Sequence, residues 1–278
     1  MARLIQSDHR VYKGPKGFIE SEGDRIYYET FGRGDAVVFC HGYRCNHAFW
    51  YQQVPAFATR YRVITWDQCG FGRSTDHARR AGPAAAVADL LALLDHLEVE
   101  WAHLIGQSMG GWAVTGFAIA HRARVRSIVL ADTNGGVSSP AIERTIDEHH
   151  RFDAPEPPIE NRPIGDHPSL GPQLARRDPA KALLFEQLGS AGRPPPDGIL
   201  SRLKDTRHVG RELRQLTMPT LLIAGSDDRI CSPKLVNELA AIIADSRVEI
   251  IADTGHSPYF EDPQPWNEAV LHFLDEIN

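Results

Sequence analysis

The stretch "HLIGQSMGGWAV", residues 103–114, sets one serine between two glycines in the order Gly106-Gln107-Ser108-Met109-Gly110. Leu104-Ile105 come just before it, and Gly111, Trp112, Ala113 and Val114 follow. This order predicts a buried strand that turns sharply into an apolar helix. In such a turn the central residue is forced to positive φ, and the residues two positions to either side pack against each other. Only tiny side chains fit there, hence Gly106 and Gly110. The turn would lift the Ser108 hydroxyl clear of the backbone and aim the first turn of the helix at it. The competing reading is a glycine-rich turn with an incidental serine. The buried strand before it and the apolar helix after it weigh against that reading.

The flanking sequence has the same rhythm. "AVVFCHG" (36–42) and "YRVITWD" (61–67) are continuous apolar runs ending in turn residues, as buried parallel strands would. "GFIESEGDRIYYETFG" reads as a hairpin turning at Gly23-Asp24. "PAAAVADLLALLDHLEV" (83–99) is a helix with Val87, Leu90, Leu91, Leu94 and Leu97 at three- and four-residue steps. Further strands are expected at 125–132, 218–228 and 247–255, with helices at 233–244 and from about Gln264. Alternating strands and helices predict an α/β fold, a mostly parallel sheet with helices on both faces. Residues 134–214 break the pattern and hold more than half of the 19 prolines. Helical pieces are expected there at 140–151, 178–189 and 197–213. The expected organisation is a core of residues 1–133 and 215–278, with 134–214 inserted as a helical cap.

Composition narrows the function. With 42% apolar residues in 278, the chain can bury a large core. A net charge of −6 with scattered basic residues excludes the footprint of a nucleic-acid binder. No apolar run approaches the roughly 20 residues of a membrane span, and "MARLIQSDHRVYKG" has no signal-peptide core. The expectation is a soluble, cytoplasmic protein. The four cysteines form no CxxC pair, so no structural disulfide is expected. The 13 histidines include no HExxH, and His149-His150 are adjacent, so no metal site is expected.

A serine hydroxyl needs a base, and the base an orienting partner. "ADTGHSPYFEDP" puts His256 just past a strand, and "AGSDDRICSP" puts Asp227 and Asp228 past the preceding one. Loops at the carboxyl ends of parallel strands converge where ligands bind. Asp132 closes "SIVLAD" and is another possible acid, or a cap on the turn into the insertion.

The sequence resembles the α/β-hydrolase fold family. The resemblance rests on "HGYRCNHAFW" (41–50), "DQCGFGRS" (67–74), "GQSMGG" (106–111), "GSDDRI" (225–230) and "DTGHSPYFEDP" (253–263), in that order. It implies an eight-stranded sheet, Ser108 as nucleophile, His256 as base and Asp228 as acid, with Asp227 or Asp132 as alternatives. It also implies an oxyanion hole of the Tyr43 and Met109 N–H groups, with Tyr43 and Trp112 at the substrate pocket. In the "DQCGFGRS" turn, Gly70 and Gly72 would permit the bends and Asp67 would cap the backbone. The implied reaction is hydrolysis of a small carboxylic ester or lactone through an acyl-enzyme, with no cofactor. C–C bond hydrolysis, cofactor-free oxygenation, or a receptor that keeps the triad are the alternatives. Leu183, Leu184, Phe185 and Leu188 of the insertion would face the pocket or bind the cap to the core. The partner expected is a small-molecule substrate, with neither nucleic acid nor membrane; a homodimer is left open.

Overall fold

The computed structural model describes residues 11–150 and 163–277. Most of the N-terminal stretch discussed above, and the last residue of the helix expected over 140–151, lie outside them. Eight strands form one sheet: β1 (Lys13–Ser21), β2 (Asp24–Phe31), β3 (Ala36–Cys40), β4 (Arg62–Trp66), β5 (Ala102–Gln107), β6 (Val125–Ala131), β7 (Thr220–Gly225) and β8 (Ser246–Ile251). Their spatial order is β1-β2-β4-β3-β5-β6-β7-β8. β1 and β2 are antiparallel to their neighbours and the rest are parallel. The β1–β2 hairpin turns on Glu22 (φ 48°) and Gly23 (φ 87°), one residue earlier than the Gly23-Asp24 expected. Two consecutive positive φ values match the twist of a two-residue hairpin.

The helices are α1 (Gln53–Phe57), α2 (Pro83–His96), α3 (Gly110–Ala120), α4 (Pro140–His150), α5 (Leu174–Arg177), α6 (Pro179–Ser190), α7 (Ile199–Asp205), α8 (Pro233–Ala240), α9 (Pro258–Glu261) and α10 (Pro263–Asp275). Side chains alternate across the sheet with the period of two that a strand imposes. Val38 and Cys40 join Leu90, Leu94 and Val114 on one face. Val37 and Phe39 join Phe57, Trp266 and Phe273 on the other. β5 lies beside β3, with Cys40 opposite Gly106, whereas β4 lies on the other side of β3. The strand order therefore reverses at β3, and the crevice beyond the β3 and β5 carboxyl ends is where such sheets bind ligands.

α4 to α7 all lie between β6 and β7. Phe185 of α6 is buried against Phe49 and Phe260, with ring centroids 5.2 and 5.0 Å apart. The helix expected over 197–213 stops at Asp205. Beyond it Thr206 is extended, and the His208 N–H donates to the Gly136 carbonyl at 2.7 Å. Pairing of Val137 with His208 and the positive φ of Gly210 (52°) end the α-helix, and only a short 3-10 turn, Glu212–Gln215, follows.

Candidate active site

Ser108 has φ 49°, in the left-handed region that L side chains avoid. Steric crowding explains the glycines around it. A Cβ on Gly106 would sit 2.5 Å from the Gly110 carbonyl oxygen, and one on Gly110 would sit 2.1 Å from that of Cys40. A Cβ on Gly42 would sit 2.2 Å from Gln107 Oε1. β5, α3 and the loop after β3 thus meet backbone to backbone, which brings Ser108, Met109 and Tyr43 to one spot. The N-terminus of α3 adds its favourable field for negative charge there.

Gly42 is held by its carbonyl. The Gln68 N–H donates to His41 Nε2 (3.0 Å), so Nδ1 carries the proton and donates to the Gly42 carbonyl (2.8 Å). The Cys45 N–H donates to the same oxygen (3.2 Å). Burial holds His41 below its usual pKa and keeps the ring neutral for this task. In a trans peptide the N–H points opposite to the C=O, so the Tyr43 N–H is directed away from these two donors. The Gly111 and Trp112 N–H groups serve the Ser108 and Met109 carbonyls at 2.8 and 3.1 Å. Those of Tyr43 and Met109 are not among these turn bonds.

On the far side of Ser108, His256 is buried in the loop after β8. Its Nδ1–H donates to Asp228 Oδ2 at 2.8 Å. Asp228 Oδ1 accepts from the N–H groups of Ile230 (2.7 Å) and Cys231 (2.9 Å). Three donors therefore converge on one buried carboxyl. Asp227 is exposed, and its side chain accepts from the neighbouring Ser226 hydroxyl at 3.4 Å. Asp132, at φ 52°, is buried behind the pair. Its Oδ1 accepts from the Gly225 N–H at 3.0 Å, so it ties β6 to the end of β7 rather than capping the turn into the insertion. Burial and the charge of Asp228 push its carboxyl well above the usual range.

Two further residues hold the histidine loop, and their roles could not be read from local pattern. Gln107 Nε2 donates to the His256 carbonyl at 2.8 Å. Glu261 Oε1 accepts from the Gly255 (3.0 Å) and Ser257 (3.3 Å) N–H groups, and its Oε2 from Gly171 (2.9 Å) between β6 and β7. Burial pushes Glu261 up to about 7 despite these donors. In the "DQCGFGRS" turn, Asp67 Oδ1 accepts from the His47 N–H (2.7 Å) and Oδ2 from the Arg73 N–H (2.8 Å).

A cavity of about 590 Å³ opens above Ser108 and His256 and is also lined by Tyr43, Met109 and Trp112. Its outer wall comes from Ile142 and Ile146 of α4 and Leu200 and Leu203 of α7, with Glu143, Lys204 and Arg207. Trp112 Nε1 donates to the Leu203 carbonyl at 3.0 Å and joins α3 to α7. The α6 residues stay out of the cavity. Phe185 is buried and Leu188 half-buried in the core cluster, whereas Leu183 and Leu184 are each 39% exposed. Two groups of potential metal ligands come within 4.8 Å among the described residues, Asp24-Cys69-Asp76 and Asp132-Asp228-His256. The Asp24 carboxylate already serves Thr75, His77 and Arg80, and Asp228 serves the three donors above.

A mostly parallel sheet with a strained serine at its switch point and a histidine–carboxyl pair across the cavity defines a hydrolase-type α/β protein. The family model described as the alpha/beta hydrolase fold matches residues 35–263, and the chain belongs to that family. It is 30% identical over 91% of its length to 96% of an Azorhizobium caulinodans protein named "putative carbamate hydrolase RutD". It is 28% identical to a 2-hydroxy-6-oxononadienedioate/2-hydroxy-6-oxononatrienedioate hydrolase of Cupriavidus pinatubonensis, over 90% of each chain. The solved structure of a thermophilic esterase from Thermogutta terrifontis superposes with a TM-score of 0.79 at 26% identity, covering 95% of this chain and 99% of that one. Among the described residues no helix is long and apolar enough to cross a membrane.

Proposed function

We propose that the protein is a serine hydrolase that cleaves a small carboxylic ester or lactone through an acyl-enzyme. One observation carries this reading: a serine strained at φ 49° lines the same cavity as a histidine whose Nδ1 is fixed by a buried carboxylate. With Nδ1 committed to Asp228, His256 Nε2 is the nitrogen left to act as base. In the substrate complex it closes to about 2.6–3.2 Å of the Ser108 hydroxyl. Oγ attacks the carbonyl carbon, and its proton passes to Nε2. The oxyanion accepts hydrogen bonds from the Tyr43 and Met109 N–H groups. The leaving alcohol takes the proton from Nε2, and a water activated by His256 then releases the acid and restores Ser108.

The wall of Ile142, Ile146, Leu200, Leu203 and Trp112 favours an apolar acyl or alcohol group of modest size. Related chains bear the names of carbamate and C–C bond hydrolases, whose bonds the same nucleophile and oxyanion site could cleave. A panel of aryl and alkyl esters of graded length, lactones and carbamates, assayed with wild type and Ser108→Ala, tests the reading. The expected result is ester or lactone turnover that the variant lacks. Equal turnover by the variant would remove Ser108 from the chemistry. Oxygen uptake with an aromatic substrate, without hydrolysis, would replace the hydrolase reading.

A further inference from the structure

Behind the histidine, two buried carboxyls from different strand ends meet. Asp132 Oδ1 is satisfied by the Gly225 N–H. Asp132 Oδ2 is buried without a donor, and carboxyl oxygens of Asp132 and Asp228 lie within 4.8 Å of each other. Asp228 already accepts from the Ile230 and Cys231 N–H groups and His256 Nδ1–H, which leaves one of its roughly four lone-pair sites open. Two ionised carboxylates facing each other without solvent is a costly arrangement, and an orphaned buried acceptor adds to that cost. A single proton between them removes both problems. The donor set decides its owner: Asp228 has three N–H donors that favour its charged form, and Asp132 has one.

We propose that Asp132 is a positioning residue, a neutral carboxylic acid that donates its proton to the Asp228 carboxylate and so fixes the acceptor that orients His256. The positioning role rests on the hydrolase reading above; the shared proton does not. The charge-bearing and titratable groups around the pair are His256 from the loop after β8, Cys231 before α8, and Tyr259 and Glu261 of α9, the Tyr259 hydroxyl held neutral by its burial. Cys231, pushed well up by burial, stays a neutral thiol. This leaves the Asp132–Asp228 pair with one negative charge, matched to one imidazolium as His256 takes the serine proton.

Asp132→Asn tests the assignment, because the amide keeps a donor for Asp228 and an acceptor for Gly225 and is itself neutral. If Asp132 is neutral, the acid limb of the kcat/KM profile stays where it is in wild type. If Asp132 carries a charge, removing it takes a negative charge from beside the imidazolium, and the limb moves down by about one pH unit or more. Asp132→Ala removes the donor and should lower kcat more than it changes KM, with the limb moving up. Infrared difference spectra of wild type minus Asp132→Asn at about pH 9, above the value of about 7 for Glu261, read the proton without any turnover. A protonated carboxyl band present only in wild type is expected. Its absence, or a downward shift of the acid limb, overturns the proposal. If the band is present and no ester is cleaved, the shared proton stands and the hydrolase reading fails. Should Asp132→Asn not fold, Asp132→Ser keeps a neutral donor and gives the same two readings.

Discussion

Replacing Ser108 with glycine should make the protein more stable, and more so than replacing it with alanine. The cause is the φ of 49° at this residue. A Cβ in the left-handed region costs roughly 1–2 kcal/mol, and both serine and alanine carry one. Glycine removes that strain but loses about 0.4–1 kcal/mol through the greater freedom of its unfolded chain. The difference leaves Ser108→Gly about 0.5–1 kcal/mol more stable than Ser108→Ala. With an unfolding entropy of about 2.1 cal/mol/K per residue over 278 residues, that is a Tm increase of about 1–2 °C. Both variants lack the hydroxyl, so neither should turn over an ester, and any gap between them reports the backbone alone. Paired thermal and urea melts in one buffer measure it. An alanine variant as stable as the glycine variant, or more so, would show that the elbow is not strained and would sink the argument for why Gly106 and Gly110 flank it.

Three other perturbations follow from the site. Asp67→Ala leaves the His47 and Arg73 N–H groups without their buried acceptor and should cost about 3 kcal/mol in urea unfolding; a loss below about 1 kcal/mol would mean that solvent replaces the carboxylate. Gln107→Leu frees the His256 carbonyl and should lower kcat roughly tenfold with little change in KM, whereas a change confined to KM would contradict a role in holding the loop. Glu261 binds its proton more tightly folded, at about 7, than at its ordinary 4.5. Its stabilising contribution is therefore complete below about pH 4.5 and is lost as the pH rises through about 7. The gap corresponds to something on the order of 3 kcal/mol, and Glu261→Gln should flatten that slope in melts recorded across this range.

What could be read from the sequence was what short-range geometry dictates. The glycines at 106 and 110 must be small because backbone lies 2.5 and 2.1 Å from where a Cβ would stand, and such crowding is written into consecutive residues. Apolar runs likewise marked β3, β5, β6 and β7, whose residues are all buried apart from Arg126 of β6. Contacts between distant segments left no such trace. Asp132 meets Gly225 across 93 positions, and Gln107 meets His256 across 149. The sequence offers many aspartates and glutamines with no sign of which will converge. The insertion stayed ambiguous for a related reason. By type Leu183, Leu184, Phe185 and Leu188 could face the pocket or bind the cap to the core; α6 turns Phe185 and Leu188 toward the core and leaves Leu183 and Leu184 at the surface. The cavity wall comes instead from Ile142, Ile146, Leu200 and Leu203 on α4 and α7.

Covalent capture tests the central claim most directly. An aryl alkylphosphonate that transfers its phosphonyl group to an activated serine, followed by intact mass and peptide mapping, reads the nucleophile without knowledge of the natural substrate. One equivalent of mass on the peptide carrying Ser108 is predicted, with no labelling in Ser108→Ala and far slower labelling in His256→Ala, because the hydroxyl depends on that base. A folded wild type that takes up no label, or that takes it up on another residue at the same rate in Ser108→Ala, would contradict the account.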